Sequence, residues 1–241
     1  MKIIILILLI ITIGAVFSGC LETKEAEPAF VNQATINTLG WEQSGDVQKG
    51  SLTQQVGDMD LVINSAIVSY YDKALLDDIN NQFGDHLGMS VSSTNPQDQN
   101  MFSSQFLTMR LALPGGISIP ESVLLGTVDN LIQEMAQKNG IKNFNESGEE
   151  TVIISTGSKV KARSYEGYIE GDSDQNTRLK VRGIIASWTG DGTTTIVIGV
   201  IPARDIIYGT RTQTDSPAES TIEIDEDKEY QEILTLIKNV E

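Results

Sequence analysis

Cysteine and histidine are almost absent from this sequence, which contains one of each, Cys20 and His86. A single thiol cannot form a disulfide within the chain, and it excludes iron–sulfur clusters and zinc sites built from several cysteines. A Ser-His-Asp triad would have to use His86, whose glycine-rich surroundings predict a loop, and the chain lacks a Gly-x-Ser-x-Gly elbow. We therefore predict no catalytic residues, no enzymatic activity and no cofactor.

Positive charge is also scarce, since 17 lysines and arginines stand against 33 acidic residues and the net charge is −16. Such a surface repels the phosphate backbone of nucleic acids and anionic lipid head groups. We expect no nucleic-acid partner, and we interpret the acidity as a source of solubility.

Two acidic segments resemble cation sites, but we predict no metal ligands in either. The segment Gly171 to Asn176 opens like a calcium loop, yet Thr177 stands where the sharp turn needs glycine and Gly183 where a bidentate glutamate should close the shell. A polar hairpin turn explains it better. The second segment begins the last helix and contains Asp225, Glu226, Asp227 and Glu229. The helix macrodipole accounts for these acids, and weak cation binding there is a secondary hypothesis.

The longest apolar run lies at the start of the chain. Lys2 precedes the run Ile3 to Phe17, and Ser18 and Gly19 then lead to Cys20. Small residues before a cysteine are typical of a lipobox, so residues 1–19 are predicted to be a lipoprotein signal peptide and Cys20 the lipid anchor. An uncleaved N-terminal helix is the alternative, although the run is shorter than the ~20 residues of a comfortable span. Either way, Lys2 stays inside and the membrane-tethered domain faces the extracellular side.

The remainder is predicted to be a flexible tether, residues 20–34, and a single α+β extracytoplasmic domain, residues 35–241. In its first half, the sequence patterns predict a short helix at Thr35 to Leu39, ending at Gly40, and a β-hairpin from Val47–Val56 and Met59–Tyr71. Asp72 is then predicted to cap a helix from Lys73 to about Gln82.

The second half is predicted to contain an antiparallel meander between two helices. After a strand at Phe106–Leu113, a helix is predicted at Pro120–Asn139. The four strands of the meander are predicted at Thr151–Ser155, Lys159–Glu170, Arg178–Trp188 and Thr193–Ile201. A final helix at Asp225–Val240 should dock on the sheet through its apolar side. The fold class is therefore α+β, an antiparallel sheet with helices packed on it.

Three aromatic residues and one asparagine are candidate surface features. Tyr165, Tyr168 and Trp188 lie on predicted strands, where they either line a ligand groove or, more simply, form core and cross-strand contacts. Asn145 begins the chain's one glycosylation sequon, which we place in a polar connection before a strand. Whether Asn145 carries a glycan depends on the host.

Five short features follow one another along the chain: Cys20, Trp41, Tyr71 to Lys73, Thr94 to Pro96, and Val200 to Pro202. Their order resembles that of an uncharacterised family of archaeal cell-surface lipoproteins. The element order is also similar to the PsbP-like fold of small lipoproteins and secreted modules. Neither resemblance implies a reaction, a cofactor or a binding residue, so Cys20 alone is carried over as an anchor.

These observations favour a lipid-anchored, non-enzymatic binding module at the cell surface. Its partner would be a small ligand or another envelope protein. The alternative is an accessory solute- or metal-handling lipoprotein beside a transporter, although the chain lacks the two α/β lobes of the usual binding proteins.

Overall fold

The computed structural model describes residues 24–56, 59–87, 103–114, 133, 136–137, 140–170, 178–203, 206–210 and 218–241. The helices with assigned bounds are α1 Gln33–Leu39, α2 Lys73–Leu87 and α3 Glu226–Lys238. The strands are β1 Trp41–Gln43, β2 Gln48–Val56, β3 Met59–Asp72, β4 Gln105–Ala112, β5 Ile141–Ile153, β6 Lys159–Glu170, β7 Arg178–Gly190, β8 Thr193–Pro202, β9 Ile206–Thr210 and β10 Ala218–Ile222. Among these described residues, no helix is long and apolar enough to cross a membrane.

The described strands form one large antiparallel sheet and one small ladder. The large sheet has eight strands in the order β1-β3-β4-β8-β7-β6-β5, with β2 paired to β3 beside this path. The strands β9 and β10 pair separately. The run β5 to β8 is the predicted meander, and the sheet-dominated α+β class is confirmed.

The long strand β3 joins the predicted hairpin to the rest of the sheet. Its first part pairs with β2, from Met59 opposite Val56 to Ile67 opposite Gln48, which confirms the hairpin. Its last residues pair with β1, where Trp41 lies opposite Asp72. The strand therefore brings an early tryptophan beside the acid that begins α2.

Helix α3 covers one face of the sheet with an apolar stripe. Ile233, Leu236 and Ile237 on this helix are fully buried. Strand β8 contributes Gly199 to this contact, where a Cβ atom would lie 2.6 Å from Cγ2 of Ile233. The missing side chain lets helix and strand approach each other closely, so the predicted docking of the last helix is confirmed.

The segment before α1 is part of the folded domain, which differs from the flexible tether expected over residues 20–34. Ala26, Ala29 and Val31 are buried, and Val31 forms a β-bridge with Val240. The side chain of Asn32 caps α1, a position that the tether boundary did not foresee. The polar composition of this segment predicted flexibility, but its three buried apolar residues are enough to hold it against the sheet.

Other boundaries also differ from the predictions. Helix α2 continues to Leu87 and includes His86, so the predicted loop at His86 is wrong; Gly84 costs a helix only about 1 kcal/mol and does not end it. Asn145 lies within β5 rather than in a connection. Strand β5 is the last in the sheet order and most of its residues are exposed, so the polar sequence of its first ten residues gave no strand pattern and only its end was predicted. Most of the predicted helix Pro120–Asn139 lies outside the described residues.

Candidate functional site

Three acidic side chains meet in the interior where β3, α2 and α3 come together. Asp72 ends β3, and Glu229 and Glu232 lie one turn apart on α3. Their exposed fractions are 0%, 1% and 8%, and a carboxylate oxygen from each lies within 4.8 Å of the others. We call Asp72, Glu229 and Glu232 the carboxylate cluster.

Asp72 is held by the start of α2 and by the segment before β4. Its Oδ1 accepts a hydrogen bond from the Leu75 amide at 2.9 Å, which confirms its predicted role as a helix cap. Its own amide donates to the carbonyl of Ser104, also at 2.9 Å. The second carboxylate oxygen, Oδ2, is buried and has no hydrogen-bond partner within the described part of the chain.

Both glutamates of the cluster have hydrogen-bond donors in place. The Ser104 hydroxyl donates to Oε2 of Glu229 at 2.6 Å, and the Trp41 indole donates to Oε2 of Glu232 at 2.8 Å. The Lys228 ammonium bridges the other two oxygens, at 3.2 Å from Oε1 of Glu229 and 3.3 Å from Oε1 of Glu232. Since the lysine side chain is 51% exposed, the ammonium closes the solvent side of the cluster.

The electrostatics of the cluster favour a bound proton or cation. Burial is the main cause that raises the pKa of Asp72, to about 7, and the charges of Glu229 and Glu232 add to it; the Leu75 amide and Lys228 act in the opposite direction. Burial alone would lower the pKa of Lys228, but the two glutamates more than compensate and raise it. With all three acids ionised, one ammonium leaves an excess charge of −2, which is costly in a buried site.

A groove of about 480 Å³ opens at the far end of the sheet. Its walls come from the β5–β6 and β7–β8 turns, from β4 and from both ends of the described chain, and they include Lys24, Arg110, Trp188, Asp191, Thr195 and Glu241. The Arg110 guanidinium donates to the Thr195 hydroxyl at 3.4 Å and to the Glu241 carbonyl at 3.0 Å. Burial lowers the pKa of Arg110, against the charges of Glu27 and Asp191. We call this cavity the Trp188 groove.

The structure separates the three candidate aromatics. Trp188 lines the groove and also packs against the main core, whereas Tyr165 is buried and stacks on Phe144 with ring centroids 5.2 Å apart. Tyr168 is half-buried and is not among the groove residues. Trp188 therefore lines a cavity, whose use as a ligand groove stays a prediction, whereas Tyr165 makes the expected core contact.

The acidic start of α3 divides into two roles. Asp225 caps the helix by accepting from the Lys228 amide at 3.0 Å, and Glu226 pairs with Arg182 at 3.3 Å. Glu229, however, points into the protein, which the macrodipole argument did not foresee. The predicted lipid anchor Cys20 and the loop Gly171–Asn176 lie outside the described residues.

Asp72, Glu232 and Ser104 were missed as site residues, although the sequence contains one signal for them. Glu229 and Glu232 precede Ile233 and Leu236 by four residues each, so they share the buried face of the helix. An acid within the apolar stripe of a helix indicates a buried polar site. The contribution of Asp72 and Ser104 depends on contacts distant in sequence, and no local pattern shows it.

A family model, described as a domain of unknown function (DUF6517), matches residues 28–241. The chain belongs to this family. The match begins within the segment that packs against the sheet before α1, so the DUF6517 domain includes both the carboxylate cluster and most of the Trp188 groove. Comparison of the chain with curated proteins and with solved structures finds no match.

Proposed function

We propose that this chain is a non-enzymatic binding module, held at the outer face of the cell membrane by a lipid on Cys20. The Trp188 groove is its binding site, and this groove is the observation that carries the proposal. Its volume of about 480 Å³ lies within the roughly 300 to 1,000 Å³ of small-molecule sites. An enzymatic function is disfavoured because the sequence shows no motif that pairs a nucleophile with a general base.

The chemistry of the groove fits a small polar ligand with one apolar face, such as a sugar. The Trp188 indole offers a flat apolar surface, and Arg110 on the wall of the same groove offers hydrogen-bond donors. The remaining walls are rich in hydroxyl groups, from Ser155, Thr156, Ser158, Thr189, Thr193 and Thr195. Hydroxyl groups both donate and accept, so they suit a ligand that does the same.

The same proposal includes the two resemblances drawn from the sequence. The lipobox ending in Cys20 supports membership among archaeal cell-surface lipoproteins. The order of a hairpin and a helix, then a meander and a last helix, supports a PsbP-like architecture. An envelope protein remains the alternative partner if no small molecule binds.

Replacing Trp188 tests the groove. We expect a panel of sugars, amino acids and nucleotides to contain a ligand that raises the melting temperature of the full chain in detergent, and Trp188→Ala to abolish that rise because it removes the apolar face. Tyr168→Ala is the matched control, since this half-buried aromatic lies on the same sheet outside the groove. A rise that survives in Trp188→Ala, or silence across the whole panel, would contradict groove binding.

Replacing Cys20 tests the anchor. In cells that process lipoproteins, we expect the wild-type chain in the membrane fraction with a mass that corresponds to cleavage before Cys20 plus a lipid. Cys20→Ala should lack the lipid and the cleavage. If the wild-type chain instead keeps residues 1–19 and Cys20→Ala has the same mass apart from the substitution, the uncleaved helix is the anchor.

The metal-handling alternative has its own supporting observation, the carboxylate cluster. It is argued separately below, because the cluster and the Trp188 groove share no residue.

A further inference from the structure

We propose that the carboxylate cluster, together with the Ser104 hydroxyl, is a binding site for one Ca²⁺ ion. Two independent observations support it: the convergence of three buried acids, and the wholly buried Asp72, whose Oδ2 has no hydrogen-bond partner among the residues that the structure describes. A buried carboxylate oxygen without a donor is costly unless a proton or a cation satisfies it. The proposal does not depend on the Trp188 groove.

The ligand set selects the class of metal. All the candidate ligand atoms are oxygens, from three carboxylates and one hydroxyl, which is the set that hard cations prefer over zinc or copper. Two oxygens on opposite sides of a Ca²⁺ ion lie about 4.6 to 5.2 Å apart, since each bond is about 2.3 to 2.6 Å. The carboxylate oxygens lie within 4.8 Å of one another, so some point lies within about 2.8 Å of all three, and a small movement of the side chains brings them to Ca²⁺ bonding distance. Mg²⁺ usually keeps several waters and binds through one or two carboxylates, so three converging carboxylates favour Ca²⁺.

Lys228 marks the position that a cation takes in the cluster. Its ammonium lies 3.2 and 3.3 Å from the two glutamates, and it reaches them from the solvent side on a flexible stem. A Ca²⁺ ion binding the same oxygens releases the ammonium to water, where a charged amine is well solvated. The lysine therefore competes with the cation and lowers its affinity.

The two tryptophans of the chain allow a test specific to the cluster. Tb³⁺ replaces Ca²⁺ in oxygen sites and luminesces when an adjacent indole is excited. The Trp41 indole contacts Glu232, whereas Trp188, the other tryptophan, lines the separate groove. With the full chain in detergent, stripped by a chelator, we expect sensitised Tb³⁺ emission that Ca²⁺ displaces. Trp188→Phe should preserve this emission and Trp41→Phe should remove it.

Thermal shift measures the affinity. We expect Ca²⁺ at about a hundred times its Kd to raise the melting temperature by about 5 to 10 °C. Asp72→Asn should abolish the rise while keeping the fold, because the amide oxygen can still cap α2. Lys228→Met should tighten Kd about tenfold by removing the competing ammonium. Asp77→Asn is the control, because it alters an exposed acid paired with Lys73, and it should bind like the wild type.

Two results would overturn the proposal. One is the absence of both a thermal shift and Tb³⁺ emission at millimolar cation, which would leave Asp72 satisfied by a proton only. The other is a shift of equal size in wild type and in Asp72→Asn, which would mean that the cation binds elsewhere on the acidic surface. Neither result bears on ligand binding in the Trp188 groove, which the tryptophan variant tests separately.

Discussion

Gly199→Ala should lower the free energy of unfolding by about 2 kcal/mol and the melting temperature by about 4 to 8 °C. The added Cβ would lie 2.6 Å from Cγ2 of Ile233, a distance that real Cβ atoms do not tolerate. Ile233 is fully buried on α3 and cannot move aside without lifting the helix from β8. Urea unfolding and thermal melts of the full chain measure the loss.

Two further variants distinguish the clash with Ile233 from a general effect of replacing glycine by alanine: a substitution at Gly190 and a double mutant. Apart from its chain neighbours, no atom of the described residues lies within 4 Å of the point where a Cβ on Gly190 would be, so Gly190→Ala should change stability by less than about 1 kcal/mol. Ile233→Ala alone should lower the free energy of unfolding by about 2 to 5 kcal/mol. The double mutant of Gly199→Ala and Ile233→Ala should lose clearly less than the sum of the two single losses, because the new methyl fills part of the cavity. Additive losses would show that helix and strand do not press on each other here.

Asp72→Asn should increase stability at pH 8 in the presence of a chelator and leave it nearly unchanged at pH 4. In the folded protein the pKa of Asp72 is raised to about 7, above the value of about 3.9 for an unfolded chain. The folded state therefore binds more protons between these values, and this group makes the wild type less stable as the pH rises from about 4 to 7. The difference between these two pKa values corresponds to a loss of as much as about 4 kcal/mol in the free energy of unfolding at pH 8. The uncharged amide of Asp72→Asn does not cause this loss.

Urea unfolding at pH 4.5, 6 and 8 measures this difference between the wild type and Asp72→Asn. The difference should increase across this range and level off above pH 7. Asp77→Asn should give a difference that stays small, because its exposed ion pair with Lys73 contributes little. Equal stabilities of wild type and Asp72→Asn at pH 8 would contradict a destabilising charge at Asp72.

Local sequence patterns were sufficient for most of the fold. The alternation in Met59–Tyr71 and the turns between successive runs located the hairpin and the meander, because strand pairing between neighbours depends on local residues. The same patterns missed β1, a three-residue strand that exists because β3 extends beyond β2. They also missed β9 and β10, whose surroundings are rich in threonine, serine and acids.

The carboxylate cluster was only partly predictable from the sequence. Asp72 was recognised as a helix cap and Glu229 as an acid near a helix start. Both interpretations place the side chain at the protein surface. Burial comes from the packing of α3 against β1 and against the segment before β4, which places Trp41 within 2.8 Å of Glu232, a residue 191 positions away. A local sequence pattern cannot reveal a contact between residues so far apart in the chain. The sequence alone therefore predicted an exposed acidic surface and no metal ligands.

The packing of the segment before α1 against the sheet limits the distance between the domain and a membrane in which Cys20 would be anchored. A free tether over residues 20–34 would reach roughly 45 to 50 Å, but Ala26 is already buried against the domain. If Cys20 carries the lipid, only six peptide units separate the anchor from the folded body, a leash of roughly 20 Å when fully extended. Lys24, Glu25 and Glu27 lie on the wall of the Trp188 groove, so a lipid on Cys20 would hold the groove close to the head groups. With the proposed anchor, the groove would sample molecules that diffuse within the thin layer next to the bilayer, and bulky envelope polymers would be too large to enter the gap beneath it.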